Sequence, residues 1–170
     1  MPAELRRTPI NGLCELRSQP FVDARGGFLN AFRAQEEAFM GSWGDRGIAQ
    51  VNLSRSEAAG TIRGLHLQAP PHSEAKLVRC LKGRVWDVAV DLRGESATYG
   101  QWHAVELTPE RGNALLVPEG CAHGFQVLEL GSELLYLHSG LWVPEAESGV
   151  RWDDPQIAIS WPLIPTELSE

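Results

Sequence analysis

Basic side chains are in the minority in this chain. Lys and Arg number 15 against 22 Asp and Glu, which gives a net charge of −7 over 170 residues. Proteins that bind DNA or RNA usually carry a positive patch or a positive total, so we expect no nucleic-acid partner. The acidic total still leaves room for a small anionic ligand that a few local Arg and Lys side chains hold.

Cysteines are few and long apolar runs are missing. The three cysteines, Cys14, Cys80 and Cys121, are odd in number and form no C-x-x-C pair. This pattern predicts free thiols in the core of a cytoplasmic protein, not a disulfide framework or a zinc cluster. No run of about 18 apolar residues could cross a membrane, and the first ten residues lack the apolar stretch of a signal peptide. We therefore expect no membrane contact.

Sequence motifs for common cofactors are also lacking. The chain contains no G-x-G-x-x-G, no Walker A motif and no G-x-S-x-G. Metal sites in β-barrels commonly use an H-x-H pair followed by Glu and a distant His. Here residue 68, two positions after His66, is Gln, while His72 and Glu74 lie in a proline-rich loop with different spacing. We expect no metal ligands.

Short strand-like segments dominate the rest of the chain. The length predicts one domain over residues 1–170, with a short tail on the surface after Trp161. One short helix is expected at 34–42. Six segments rich in β-branched and aromatic residues, separated by turn signals, are 76–81, 84–92, 101–107, 113–117, 122–129 and 133–139, with further strands expected within 19–32 and 48–66. This spacing predicts an antiparallel sandwich or barrel.

The segment 84–92 alternates between two faces. Trp86, Val88, Val90 and Leu92 share one face, and Val85, Asp87, Ala89 and Asp91 share the other. One face is expected to pack a core. The face with the carboxylates lines a cavity or meets solvent.

Two of the five histidines stand beside glycine in strand-like segments. His66 is in IRGLHLQ and His123 is in PEGCAHGF, each flanked by glycine and apolar residues. A lone histidine of this kind is more often a core residue, but two of them with Arg63 and Lys76 nearby favour a site. His72, His103 and His138 lack such neighbours and are expected to be surface or structural residues.

Several long motifs occur together in one order. They are DARGGF at 23–28, GTIRGLHLQ at 60–68, AKLVRCLKGRVWDVAVDLRGES at 75–96, TYGQW at 98–102, LVPEGCAHGF at 116–125 and WVPEAESGVRWDDPQIAISWP at 142–162. With these motifs the chain resembles the dTDP-4-dehydrorhamnose 3,5-epimerase family. The likeness covers most of residues 20–162.

The resemblance implies a mainly β fold, a cupin-type antiparallel jelly roll with few short helices. It implies an isomerase that inverts carbons beside the keto group of a nucleotide-linked 4-keto-6-deoxy sugar, without a cofactor. A proton α to the carbonyl is removed and one is returned to the opposite face, while the ketone stabilises the carbanion as an enolate. The expected partners are a nucleotide-diphospho-sugar and a second copy of the chain in a homodimer, in cytoplasmic deoxysugar biosynthesis.

The resemblance also assigns site residues. His66 is implied to be the catalytic base and Tyr136 the proton donor. Trp142 stands where the family usually has a tyrosine stacked on the thymine ring, a task that an indole can also perform. The implied substrate-binding residues are Arg63, Lys76 and His123 toward the sugar and phosphates, and Arg25, Gln50, Asn52, Trp142 and Glu147 toward the nucleotide.

One geometric requirement follows for the strand that carries His66. An ideal strand would place Arg63 and His66 on opposite faces. Both can serve one pocket only if the chain bulges or twists, and Gly64 between them would permit this.

The chain departs from the family at the partner of the base. Family members usually carry an LSxKD-like stretch whose Asp pairs with the base histidine, whereas this sequence reads LSE at 168–170. Asp87, on the predicted cavity face, is a candidate replacement partner for His66. The alternatives to a 3,5-epimerase are a single-carbon epimerase of a related 4-keto sugar nucleotide, a non-catalytic sugar-nucleotide-binding relative, and a metal-dependent cupin enzyme.

Overall fold

The structure, a computed structural model, describes residues 3–33, 43 and 45–168. The expected helix at 34–42 lies outside the described residues. The described elements are the strands β1 (Glu4–Arg7), β2 (Cys14–Arg17), β3 (Phe21–Asp23), β4 (Gly26–Phe28), β5 (Gln50–Ser56), β6 (Ile62–Gln68), β7 (Lys76–Lys82), β8 (Val85–Asp91), β9 (Trp102–Leu107), β10 (Asn113–Val117), β11 (Cys121–Val127), β12 (Ser132–His138) and β13 (Glu147–Gly149), with one 3-10 turn at Pro144–Ala146.

These strands form two large antiparallel sheets and a separate hairpin. The six-stranded sheet has the order β1-β2-β10-β7-β12-β5, and the five-stranded sheet has the order β13-β6-β11-β8-β9. Strands β3 and β4 pair only with each other. The predicted antiparallel β architecture is confirmed, and β7 to β12 match the six predicted segments closely. The prediction missed β1, β2 and β13, which are three or four residues long and too short for a clear alternating pattern.

The main core lies between the two sheets. Val78 and Leu134 of the six-stranded sheet pack there with Val85, Ala89 and Phe125 of the five-stranded sheet, and all five are nearly or fully buried. Burial of such a two-sided apolar layer is the main favourable term in folding.

Both faces of β8 are buried. Val88 and Val90 belong to a second cluster, on the outer side of the five-stranded sheet, against which Ile157 and Trp161 pack. The inward face carries Asp87, which is also completely buried. The two predicted faces of this strand are therefore confirmed, and the carboxylate face turns toward the interior, not toward solvent.

A bulge interrupts β6 at Gly64. His66 is paired with His123 and Arg63 with Phe125, so two residues of β6 oppose only Gly124 on β11. Gly64 has a φ of +111°, and a Cβ there would lie 2.6 Å from the Gly124 Cα. This backbone conformation and close approach require glycine. The predicted bulge is confirmed.

The chain after Trp161 runs over the surface, as expected, and is attached to the five-stranded sheet. The Gln126 side chain accepts a hydrogen bond from the Leu163 backbone N–H and donates one to the Leu163 carbonyl. The Ile62 N–H donates to the Glu167 carbonyl oxygen.

Cys14, Cys80 and Cys121 are unpaired and buried, as predicted. None of the helical segments in the described residues is long and apolar enough to span a membrane.

Candidate active site

An open cavity of about 570 Å³ lies where the two sheets diverge. Its volume is within the usual range for a small-molecule site. Almost all of the predicted site residues line it. The lining residues are Gln50, Val51, Asn52, Leu53, Ser54, Arg63, His66, Glu74, Lys76, His123, Phe125, Tyr136, His138, Trp142 and Glu147.

Strand register brings the two predicted catalytic groups to this cavity. His66 on β6 lies opposite His123 on β11 in the five-stranded sheet. Tyr136 on β12, in the six-stranded sheet, is paired with Asn52 on β5 and with Val78 on β7. The cavity therefore has His66 and His123 on one wall and Tyr136 on the other. This places the imidazole and the phenol around one hollow.

The His66 imidazole is half-buried. Its Nδ1 lies 3.2 Å from Oε1 of Glu147. Burial lowers the pKa of His66 below its ordinary value; Glu147 opposes this effect, and the charges of Lys76 and His123 add to it. The imidazole is therefore neutral at neutral pH, the form that can accept a proton.

The Tyr136 hydroxyl lies 2.9 Å from the Ser54 hydroxyl oxygen. Its ring meets the His123 ring edge-on, with the ring centroids 6.2 Å apart. Burial raises the pKa of Tyr136 well above its ordinary value, and the Ser54 hydrogen bond only partly opposes this shift. The phenol therefore stays protonated and can donate a proton.

Asp87 is the partner of His123, and the expectation that it pairs with His66 is wrong. The Asp87 carboxylate oxygen Oδ1 lies 2.8 Å from the His123 Nε2, and both side chains are buried. Burial raises the pKa of Asp87, while His123 opposes the shift through its charge and its hydrogen bond. The pairing follows from strand order, because β8 and β11 are neighbours whereas β8 and β6 are separated by β11.

His138 and Glu74 were not among the predicted site residues. His138 was expected to be a surface or structural residue; it is buried, it lines the cavity, and its Nδ1 lies 3.0 Å from Glu74 Oε2. Lys76 Nζ lies 3.5 Å from the other oxygen of Glu74. The period of two along β12, which puts Tyr136 and His138 on one face, could have identified His138. Glu74 lies in a loop, and no sequence pattern indicates its position.

The other two histidines lie outside the cavity. His72 is exposed in a loop, and His103 is partly buried on β9. Their positions agree with the expectation of surface or structural roles.

Trp142 lies at the open end of the cavity. Its backbone N–H donates to the Gln50 side-chain oxygen over 3.0 Å, and its indole Nε1–H donates to Glu147 Oε2 over 3.2 Å. The side chain is more than half exposed. One face of an indole held in this way is available to stack on a planar ring.

Gln68, which stands where metal-binding cupins often have histidine, fixes the backbone on both sides of Trp142. Its side-chain oxygen accepts a hydrogen bond from the Val143 N–H over 2.6 Å, and its amide donates to the Leu141 carbonyl over 3.0 Å. The side chain is buried. Within residues 3–33, 43 and 45–168, His, Cys, Asp and Glu form no cluster of three or more that could hold a metal ion.

Arg25 does not reach this cavity within one chain. It lies on the β3–β4 hairpin, where it pairs with Asp23 and is almost fully exposed. The hairpin forms a sheet of its own, and its residues line a separate cavity of about 390 Å³. The predicted placement of Arg25 with Gln50, Asn52, Trp142 and Glu147 is therefore not observed in a single copy.

The sequence model of the dTDP-4-dehydrorhamnose 3,5-epimerase family matches residues 7–170. The chain belongs to this family. The predictions of the family and of an enzyme of the isomerase class are confirmed: the chain is an epimerase.

Relatives from two organisms support this family assignment. A dTDP-4-dehydrorhamnose 3,5-epimerase of Sinorhizobium fredii is 44% identical over 151 residues, which cover 89% of this chain and 76% of that protein. The crystal structure of the epimerase RmlC from Legionella pneumophila in complex with dTDP-4-keto-L-rhamnose is 38% identical, with a TM-score of 0.91, and the match covers 98% of this chain and 88% of that one.

A solved structure with a different named activity is also similar. ChmJ, a 3′-monoepimerase from Streptomyces bikiniensis in complex with dTDP-quinovose, is 32% identical with a TM-score of 0.88, and the match covers 97% of this chain and 82% of that one. Together these structures confirm the predicted cupin-type fold of the epimerase family.

Proposed function

We propose that this epimerase inverts the carbons beside the keto group of a dTDP-linked 4-keto-6-deoxy sugar, with His66 as the base and Tyr136 as the proton donor. One observation carries the proposal: a neutral imidazole and a protonated phenol line the same cavity from different sheets. Two such groups on opposite sides of a sugar ring can remove a proton from one face and return one to the other.

The proposed reaction proceeds through an enolate. The imidazole of His66 takes the proton from the carbon α to the ketone, and the electron pair moves to the ketone oxygen. Tyr136 then donates its hydroxyl proton to the opposite face of that carbon, and the carbonyl re-forms. The phenolate and the imidazolium that result return to their starting states by exchange with solvent.

Cationic side chains support the charged parts of the substrate. Lys76, whose side chain is largely buried at the cavity wall, and Arg63 at its rim place positive charge where an enolate oxygen or a diphosphate would need it. His123, fixed by Asp87 beside Tyr136, offers a further contact to the sugar. These roles explain how an acidic protein can bind an anionic substrate.

The open end of the cavity suits the nucleotide. Trp142 would stack on the thymine ring, with Gln50, Asn52 and Glu147 around it. The relatives solved with dTDP-sugars support this assignment of the base.

A second copy of the chain would complete the site. Strand β5 is at the edge of its sheet, next to the cavity, and its Val51 and Leu53 side chains are exposed. The hairpin that carries Arg25 also exposes Phe21 and Phe28. Exposed edges and apolar side chains of this kind usually meet a partner. We propose a homodimer in which the hairpin of each copy brings Arg25 to the cavity of the other.

The three reduced, buried cysteines support a place for this enzyme in the cytoplasm, in deoxysugar synthesis. Inversion of two carbons is the favoured reaction. The alternative is inversion of one carbon, and it is supported by the likeness to the 3′-monoepimerase ChmJ.

Incubation with dTDP-4-keto-6-deoxyglucose in D2O tests the proposal. Each carbon that loses and regains a proton takes up deuterium, which mass spectrometry counts and NMR locates. Label at C3 and C5 identifies a 3,5-epimerase, and label at one of them identifies a single-carbon epimerase. No label, with tight binding of the nucleotide, would identify a non-catalytic relative and contradict the proposal. Loss of label uptake after treatment with a chelator would instead favour a metal-dependent enzyme.

A further inference from the structure

The position opposite His66 on the neighbouring strand is occupied by a glycine. Strand β13 pairs antiparallel with β6, and its Gly149 faces His66 while its Glu147 faces Gln68. A Cβ at position 149 would collide with the Leu65 carbonyl oxygen, so the position excludes a side chain. No side chain at position 149 stands between the imidazole and its diagonal neighbour on the same face, which is Glu147.

The Glu147 side chain reaches the imidazole of His66. Its Oε1 lies 3.2 Å from Nδ1 of His66, and the two side chains are similarly half-buried, at 40% and 41% exposure. We propose that Glu147 is a positioning residue for the base: its carboxylate accepts a hydrogen bond from Nδ1–H of His66 and so leaves Nε2 unprotonated for the sugar. The inference rests on the proposed function of His66.

The carboxylate is held from its other side as well. The Trp142 indole Nε1–H donates to Oε2 of Glu147 over 3.2 Å. The backbone on both sides of Trp142 is held to β6 by the buried Gln68 side chain, which makes hydrogen bonds to Leu141 and Val143. A carboxylate with both oxygens engaged and a fixed backbone can hold an imidazole in one orientation, the arrangement that a general base needs.

The other charged groups near His66 cannot take this role. The titratable groups that face it are Lys76 on β7, His123 on β11, Tyr136 on β12 and Glu147 on β13. Lys76 and His123 disfavour a protonated imidazole, and Tyr136 is a neutral donor. The carboxylate of Asp87 is engaged by His123 and that of Glu74 by His138 and Lys76. Within the part of the chain that the structure describes, Glu147 is the acidic group at hydrogen-bond distance from His66.

The role predicts a result in the unmodified enzyme. Nitrogen-15 NMR of histidine-labelled protein distinguishes the two neutral tautomers. Near neutral pH we expect His66 to carry its proton on Nδ1. A His66 that carries its proton on Nε2 would overturn the inference, whatever the activity of any variant.

Three variants separate positioning from nucleotide binding. Glu147→Gln keeps an oxygen that can accept the Nδ1–H bond but removes the charge, and Glu147→Ala removes both. Glu145→Gln is the matched control, because this carboxylate is exposed on the preceding turn and does not line the cavity. The measurements are the His66 pKa by NMR titration, the pH dependence of deuterium uptake, kcat and KM, and the Kd of dTDP.

We expect the loss of the Glu147 charge to lower the pKa of His66 by about 0.2 to 0.7, the size typical of a partly exposed ion pair. The acid limb of deuterium uptake should move to lower pH by the same amount. kcat should fall in the order wild type, Gln, Ala, by about 10-fold or more for Ala, while the Kd of dTDP changes less than kcat. Glu145→Gln should match wild type.

An unchanged His66 pKa together with weaker dTDP binding and unchanged kcat would make Glu147 a nucleotide contact only and overturn the inference. Failure of the proposed function gives a different result: His66→Ala would retain deuterium uptake, while the NMR titration would still report whether Glu147 holds the imidazole.

Discussion

The carboxylate of Asp87 lies 2.8 Å from Nε2 of His123, although His123 and His66 stand opposite each other on paired strands. The two histidines therefore have different partners, a buried aspartate for one and a half-buried glutamate for the other. Their environments differ accordingly. Substitution of one histidine leaves the other histidine with its own carboxylate partner. This relationship makes the proposed assignment of the base testable.

His66→Ala should lower deuterium uptake from D2O by at least about 100-fold, because a positioned base contributes this much or more to proton transfer. The Kd of dTDP, measured by calorimetry, should stay within about 3-fold of wild type, since Trp142 keeps its hydrogen bonds to Gln50 and Glu147 without the imidazole. His72→Ala is the control, because His72 is exposed and outside the cavity. Retained uptake would mean that another residue removes the proton.

Tyr136→Phe should separate proton removal from inversion. The ring stays in the cavity and His66 can still abstract, so deuterium uptake should persist at a reduced rate. Net inversion should fall by about 100-fold or more, because the hydroxyl that donates to the opposite face is gone. NMR of the product measures both quantities in one sample. The companion variant Ser54→Ala removes only the hydroxyl partner of Tyr136, and it should affect inversion much less. Unchanged inversion in Tyr136→Phe would contradict the donor role.

The pH dependence of deuterium uptake should report the environment of His66. Burial disfavours the imidazolium and lowers the pKa of His66 below its ordinary value of 6.5. A base with a lowered pKa loses its proton at a lower pH, so it is in the active, neutral form throughout the neutral range. We expect kcat/KM to stay constant from neutrality down past pH 6.5 and to fall only below that value. A fall that begins above pH 6.5 would contradict a base in this environment.

Mixing two inactive variants tests whether Arg25 acts across a dimer. Arg25→Ala and His66→Ala should each be impaired. If Arg25 serves the partner's cavity, a mixed dimer contains one site with both defects and one intact site. When the two variants are unfolded and refolded together, half of the dimers are mixed and half of the sites in those dimers are intact. The mixture should therefore regain up to about a quarter of wild-type activity.

Light scattering supplies the oligomeric state for this test, and Arg6→Ala is the control because Arg6 lies on β1, in a different sheet from the hairpin. No recovery in a mixture shown to contain mixed dimers would place Arg25 outside the partner's site.

Gly64→Ala should destabilise the fold by about 3 kcal/mol or more. The added Cβ would lie 2.6 Å from both the Gly124 Cα and the His123 carbonyl oxygen, at a φ of +111°. Urea denaturation measures the loss. Gly94→Ala, where nothing lies within 4 Å of the new Cβ, should change the free energy of unfolding by less than about 0.5 kcal/mol. A stable Gly64→Ala protein that retains activity would show that the bulge can be relaxed.

Local patterns in the sequence were sufficient for most of the strands. The alternation along 84–92 put Asp87 on one face of β8 with Val85 and Ala89, and the same period of two applies to Tyr136 and His138 on β12. The bulge at Gly64 was also predictable, because two residues required in one pocket stood on opposite faces of an ideal strand.

The pairing of side chains across strands was not predictable in the same way. Asp87 was expected beside His66, but β11 lies between β8 and β6, and the aspartate meets His123. Glu147 was expected at the nucleotide, and the register of β13 against β6 also sets it beside His66.

The antiparallel β fold, the family and nine of the fifteen residues that line the cavity could be predicted from the sequence, because side-chain alternation and the long motifs are local properties of the chain. Only the tertiary structure decided which carboxylate meets which histidine, that His138 turns inward, and that Arg25 lies outside the cavity of its own chain. These contacts join strands far apart in sequence, and they depend on strand order and on register. A one-residue shift in register would move every side chain of a strand to the other face of the sheet.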